Sequence, residues 1–164
     1  MRTMNILTLA VLCFALSNAM GQGKKEIRDN KIATETSYVT ATENGKEVTY
    51  KDSYTVYDKN GCVTEQTEYN KEGAIKRKET NKYNANKDKI EEVVYDGKDK
   101  TTQKTTYFYN SEYQKIGEIE YDGVGQIKKQ SLTTYNPNGM KAEKKTYDAN
   151  KKLISTKKFT YTTK

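Results

Sequence analysis

YDKNGCVTEQTEYNKEGAI, residues 57–75, is the stretch that decides the fold. Tyr57 is followed by Asp58 and then by Gly61; Tyr69 is followed by Asn70 and then by Gly73. A four-residue run opened by Asp or Asn and closed by Gly is the signature of a type I turn. With its fourth residue left-handed it becomes a three-residue hairpin loop with a glycine bulge. If Asp58 pairs with Cys62 across that loop, Tyr57 faces Val63, and by the same rule Tyr69 faces Ile75. The residues between the two turns are rich in Thr, Tyr and Val, as strands are.

The unit recurs along the chain. Tyr57, Tyr69, Tyr83, Tyr95, Tyr109, Tyr121, Tyr135 and Tyr147 are each followed by Asp or Asn, and Tyr161 closes the series. Their spacings alternate between 12 and 14, so the period is 26 residues. The register rule extends to Tyr121 facing Ile127 and Tyr147 facing Leu153. The pattern predicts an all-β antiparallel meander of about ten strands, near 36–42, 47–57, 62–69, 74–83, 88–95, 100–109, 114–121, 126–135, 140–147 and 152–161. Because the spacings are even and side chains alternate with period two, all the repeat tyrosines are expected on one face.

That face is read as the core, although Glu65, Arg77, Glu79, Glu91, Lys129 and Glu143 share it. The other face offers Ile90, Val94, Phe108, Ile116, Leu132, Met140 and Ile154. Following the pairing from Thr67 to Arg77 to Tyr95 gives a step of 28 where the repeat is 26. This slip of one residue per strand tilts the sheet toward a curled open form or a nearly closed barrel.

Composition narrows the chemistry. Among 164 residues there are 29 Lys and Arg, 22 Asp and Glu and no His, a formal charge of +7. Without histidine there is no Ser-His or Cys-His nucleophile pair and no imidazole acid, base or zinc ligand. From Gln22 onward only 19 of 143 residues are Leu, Ile, Val or Phe, so the tyrosines must supply much of the buried apolar area.

Arg2, the apolar run Ile6 to Leu16 and the small residues Ser17, Ala19 and Gly21 have the order of a cleaved export signal, with cleavage near Ala19 or Gly21. The run is too short to span a membrane. Residues 1–21 are therefore read as a signal peptide, 22–35 as a polar leader and 36–164 as one tyrosine-repeat domain, with helix confined to the signal. The exported form carries 28 basic and 22 acidic residues and one thiol, Cys62, which cannot form an internal disulfide. No transmembrane segment is expected in it, and the location is secreted or periplasmic.

The recurring YDKNG, YNKEG, YDGVG and YNPNG units resemble the tyrosine-aspartate repeats of Rhs-type bacterial shell proteins, whose hairpins wind into a long curled sheet. With its signal-like N-terminus, the whole chain is similar to small secreted proteins of Bacteroides-type bacteria grouped as the domain of unknown function 3836. That resemblance implies a bacterial exported protein and no particular activity.

Candidate sites are few. In the simple register Glu65 and Glu79 fall opposite each other, and two carboxylates about 5 Å apart are what a retaining glycosidase uses; an exposed patch relieved by Arg77 and Lys89 is the plainer account. DKNGCVTE from Asp58 lacks the further Asp or Asn that a calcium loop needs before its Gly, and reads as a turn. No metal or cofactor motif is present. Lys51, Arg77, Lys78, Lys104 and Lys129 recur with the repeat and, interleaved with tyrosine, are candidate binding residues for sugars or acidic polymers; as ordinary solvated charges they would instead guard the sheet against edge pairing. The expected role is non-enzymatic, either a module binding envelope polysaccharide or protein or a scaffold whose sheet edges pair with another chain. The alternative is a small hydrolase acting on glycans through Glu65 and Glu79. Export argues against nucleic acid as a partner.

Overall fold

The computed structural model of the chain describes residues 23–163, so the signal reading for residues 1–21 lies outside the described residues. After a short helix α1 (Gly23–Asp29), ten strands follow: β1 (Thr34–Glu43), β2 (Lys46–Tyr57), β3 (Val63–Tyr69), β4 (Ile75–Tyr83), β5 (Lys89–Asp96), β6 (Thr101–Tyr109), β7 (Lys115–Asp122), β8 (Ile127–Tyr135), β9 (Lys141–Asp148) and β10 (Leu153–Lys158). They form a single sheet in sequence order, open at β1 and β10. The strands fall where the tyrosine spacing sets them, except that β10 stops at Lys158. α1 corrects the expectation that helix is confined to residues 1–21, and the stretch read as a polar leader holds this helix and the start of β1 at Thr34.

The turns have the expected geometry. The Asp58 N–H donates to the Cys62 carbonyl at 2.9 Å and the Gly61 N–H to the Asp58 carbonyl at 2.9 Å, and the same two bonds recur at 70, 84, 96, 110, 122, 136 and 148. The Asp58 carboxylate also accepts the N–H groups of Asn60 and Cys62. It is a turn-builder, and these bonds hold its pKa below the ordinary value against the upward push of burial. The fourth turn residue is left-handed whether it is Gly61, Gly73, Gly125 and Gly139 or Lys87, Asp99, Tyr113 and Lys151.

The first pair beyond each turn is also as expected: Tyr57 faces Val63, Tyr69 faces Ile75, Tyr121 faces Ile127 and Tyr147 faces Leu153. The next pair is not. Val56 faces Glu65, leaving Thr64 as a β-bulge, and the other seven hairpins repeat it at Lys76, Ile90, Thr102, Ile116, Lys128, Ala142 and Ile154. One extra residue per hairpin reverses the side on which the return strand presents its side chains. Consequently the repeat tyrosines do not share a face. Tyr57, Tyr83, Tyr109 and Tyr135 lie on the face where α1 rests, the helix face; Tyr69, Tyr95, Tyr121 and Tyr147 lie on the other, the open face. The slip survives, since Thr67 faces Lys78 and Lys78 faces Tyr95, again a step of 28.

The tyrosines are half-buried, and Tyr161 is exposed, which corrects the expectation of a tyrosine core. The most covered side chains are Cys62 in the first repeat turn and the small polar residues Thr55, Thr67, Asn81, Thr105 and Ser131. A one-layer sheet has no second layer to bury large rings, so depth goes to short side chains overhung by long neighbours. Thr105, for example, sits between its cross-strand partners Glu92 and Glu120. Barrel closure would seal one face, and both carry charge: Glu79, Glu118 and Glu120 on the helix face, Glu65, Glu91 and Glu143 on the open one. Sealing either would bury ions at high desolvation cost.

Candidate binding faces of the sheet

The five predicted basic residues divide between the faces. Arg77 and Lys129 lie on the helix face, where the Arg77 Nη2 donates to Glu79 at 2.7 Å and Lys129 pairs with Glu120 at 2.8 Å. Lys51, Lys78 and Lys104 lie on the open face. Glu65 and Glu79 are not brought together: Glu65 faces Thr80, Glu79 faces Gln66, and the bulge at Lys76 puts the two carboxylates on opposite faces. The glycosidase-like pair expected from the simple register is therefore absent.

On the helix face, acids and bases interlock across the strands. Glu79 takes Arg77, the Asn81 amide at 3.0 Å and Lys89 at 3.5 Å; Lys89 also reaches Glu92 at 2.9 Å. Glu118 binds Lys115 at 2.8 Å and Lys144 at 2.5 Å. Burial alone would raise the pKa values of Glu79, Glu118 and Glu120, but hydrogen bonds from these cations and amides outweigh it and hold all three carboxyls below their ordinary value. Between these charges run the tyrosines. The hydroxyls of Tyr83, Tyr109, Tyr135 and Tyr161 donate at 2.8–2.9 Å to the carbonyls of Val63, Lys89, Lys115 and Lys141, each twenty residues back. Those carbonyls belong to the residue just before each bulge, where the ladder is interrupted and an acceptor needs a partner. Tyr57, first in the series, donates instead to the Glu35 carboxylate at 2.9 Å, and burial followed by that bond pushes its pKa up to about 12.

On the open face the unit is a lysine beside a tyrosine. The Lys51 ammonium sits 4.2 Å from the centre of the Tyr69 ring and donates to its hydroxyl at 3.1 Å. Lys78 is directly opposite Tyr95, and Lys104 opposite Tyr121. Glu65 holds Lys78 at 3.1 Å and Glu91 holds Lys104 at 2.7 Å. One repeat later these positions become Gly117 and Gln130, and the cross-strand row Lys82, Glu91, Thr106 becomes Phe108, Gly117, Leu132. Phe108 is 46% exposed and Leu132 57%, so the lattice of charges gives way there to an apolar step.

The helix α1 was not legible as a site-builder in the sequence. Its residues, GKKEIRD, hold one apolar side chain, and none is fully buried. It rests on the turn at 58–61, where Gly61 allows close approach: a Cβ there would run into the Lys24 carbonyl. Beside that contact, between α1 and the helix face, lies a cleft of about 550 Å³ flanked by Tyr57 and Tyr83. No described helix is long and apolar enough to cross a membrane.

No family model and no curated protein matches the chain. Among solved structures it is similar to TarM, with 22% identity and a TM-score of 0.30, over 79% of this chain and 22% of that one. A mutant of S. aureus TarM in complex with fondaparinux, alpha-GlcNAc-glycerol and UDP matches at 20% identity and a TM-score of 0.31, with the same coverage. The chain thus spans about a fifth of the length of the structures it matches.

Proposed function

We propose that the protein is an exported bacterial β-repeat module with a non-enzymatic binding role, engaging an extended partner of the cell envelope or its surroundings by many weak contacts. The observation that carries this reading is the recurrence of lysine beside tyrosine on the open face, at Lys51 and Tyr69, Lys78 and Tyr95, and Lys104 and Tyr121. A ring and an ammonium side by side suit a sugar with an acidic group. Each lysine is already held by a carboxylate or a hydroxyl, so one contact is weak, and several in a row multiply through effective concentration. The export reading rests on the charged, apolar and small-residue order of the first 21 residues. An envelope polysaccharide is the partner we rank first, an envelope protein second.

Isothermal titration against oligogalacturonates of increasing length tests it. Affinity is expected to climb steeply with length and fall with salt, and a Lys78→Ala/Lys104→Ala double variant to lose about 10-fold against the longest oligomer. Affinity that stays flat with length would overturn the proposal.

A further inference from the structure

The cleft beside α1 is built by the one helix among the described residues, against an otherwise repeating sheet; two further hollows, of about 470 Å³ against Arg28 and Ile32 and of about 500 Å³ beside the turn at 110–114, are more open. Farther along the helix face, over β5 to β8, the comparable hollow is only about 180 Å³ and is lined by paired charges such as Glu118 and Glu120. Three features of the larger cleft point to a ligand. The first is Asn81, 6% exposed, which lines it. Its Nδ2 donates to Glu79, but its Oδ1 has no hydrogen-bond partner among the described residues. Turning the amide over would set Oδ1 against the Glu79 carboxylate, so the oxygen is the atom left wanting, and a covered acceptor wants an O–H or N–H donor.

The second feature is charge. Lys24 and Lys87 line the cleft and neither makes an ion pair among the described residues, whereas Lys89 is committed to Glu79 and Glu92; of the acids in the lining, Glu79 is held by Arg77 and Lys89 and Glu35 by the Tyr57 hydroxyl, which leaves Glu26 against the two lysines. The third is the pair of rings. Tyr57 and Tyr83 are pinned by their hydroxyls, to Glu35 and to the Val63 carbonyl, so they stand as fixed walls; the Lys24 ammonium lies 5.6 Å from the centre of the Tyr83 ring, which leaves Tyr57 as the apolar one.

A molecule with several hydroxyl donors, a flat C–H face and one negative charge meets all three. The volume lies within the range of about 300–1,000 Å³ usual for small-ligand sites. We infer that the cleft between α1 and strands β2 to β5 binds an acidic sugar, its carboxylate at Lys24 and Lys87, its ring against a tyrosine and a hydroxyl donating to Asn81. The site is on the helix face and independent of the open-face contacts, so either can fail alone.

Titration of D-glucuronate into ¹⁵N-labelled protein, followed by amide shifts, is the test, with glucose and acetate as parallel probes. Saturable shifts are expected in α1, the turn at 58–61 and residues 81–89, with a Kd on the order of 1 mM, as befits a ligand of this size. Lys24→Ala and Lys87→Gly should each weaken binding roughly 3- to 10-fold. Both variants should fold, since Lys24 is exposed and Lys87 has the left-handed φ of 69° that glycine prefers. Lys104→Ala, on the open face, should leave the Kd unchanged. Equal shifts from acetate or glucose, shifts gathered on the open face, or no saturation at glucuronate concentrations of about 20 mM would overturn the inference.

Discussion

Tyr109 and Tyr121 come from the same repeat, twelve residues apart, yet they sit in different chemistry. Tyr109, on the helix face, sends its hydroxyl to the Lys89 carbonyl, and burial raises its pKa. Tyr121, on the open face, lies beside Lys104, and its hydroxyl makes no side-chain hydrogen bond among the described residues. Tyr57 apart, the first set of tyrosines mends the backbone where bulges interrupt it, while in the second set the hydroxyl of Tyr69 meets a lysine and that of Tyr121 meets no described side chain. A repeat whose period is two hairpins lets one residue type serve both ends, because each bulge returns the chain to the opposite face.

The largest effect that could break this contrast is pH. Glu79, Glu118 and Glu120 have folded-state pKa values below the ordinary 4.5. Their contribution to stability is therefore whole above the unfolded value and drains as pH falls through it toward the lowered folded one. Tyr57 runs the other way, with a folded value near 12 against an ordinary 10.0, and Tyr83, Tyr107 and Tyr109 also move upward. A raised value favours the folded state while the phenol keeps its proton, so that stability is lost as pH rises beyond 10. With no histidine, Tm should be level from about pH 5 to 9.5 and fall on both sides. A step near neutrality would mean that other groups govern folding.

Substitution separates the faces directly. Tyr109→Ala should cost about 3 kcal/mol in urea unfolding, through lost ring burial and an unpaired Lys89 carbonyl, and Tyr121→Ala about half of that. Equal costs would deny the division of labour. Removing only the hydroxyl sharpens the same point: Tyr109→Phe should lose about 1 kcal/mol, whereas Tyr121→Phe should stay within about 0.5 kcal/mol of the parent. The smallest effect is a gain. Tyr113 holds a left-handed φ of 61° at the turn position where Gly61 stands elsewhere, so Tyr113→Gly should raise stability by about 0.5 kcal/mol, the relief of strain exceeding the added freedom of the unfolded chain.

The turns, the strands and the first pair beyond each loop could be read from Asp58 to Gly61 and its copies, because a left-handed fourth residue leaves the backbone little choice. The bulges could not. They fall on Thr64, Lys76, Ile90, Thr102, Ile116, Lys128, Ala142 and Ile154, which share no chemistry, since an extra backbone residue answers to sheet twist rather than to a side chain. Two hints existed. The unbulged register set Glu65 against Glu79, a like-charge pairing that sheets avoid, and spacings alternating between 12 and 14 already sorted the tyrosines into two series. The basic residues were legible as types, but their sorting onto faces depended on the bulge. The cleft was not legible at all, because α1 gains its place from Gly61, more than thirty residues downstream.

The strictly sequential order of the sheet means that each strand answers only to the strands before and after it in the chain. Such a molecule behaves as a one-dimensional stack, in which stability adds up hairpin by hairpin and folding can begin anywhere and spread. Pulled from its ends it would peel rather than burst, giving up one 26-residue unit at a time, and a chain built this way could yield to load and refold without ever losing its middle.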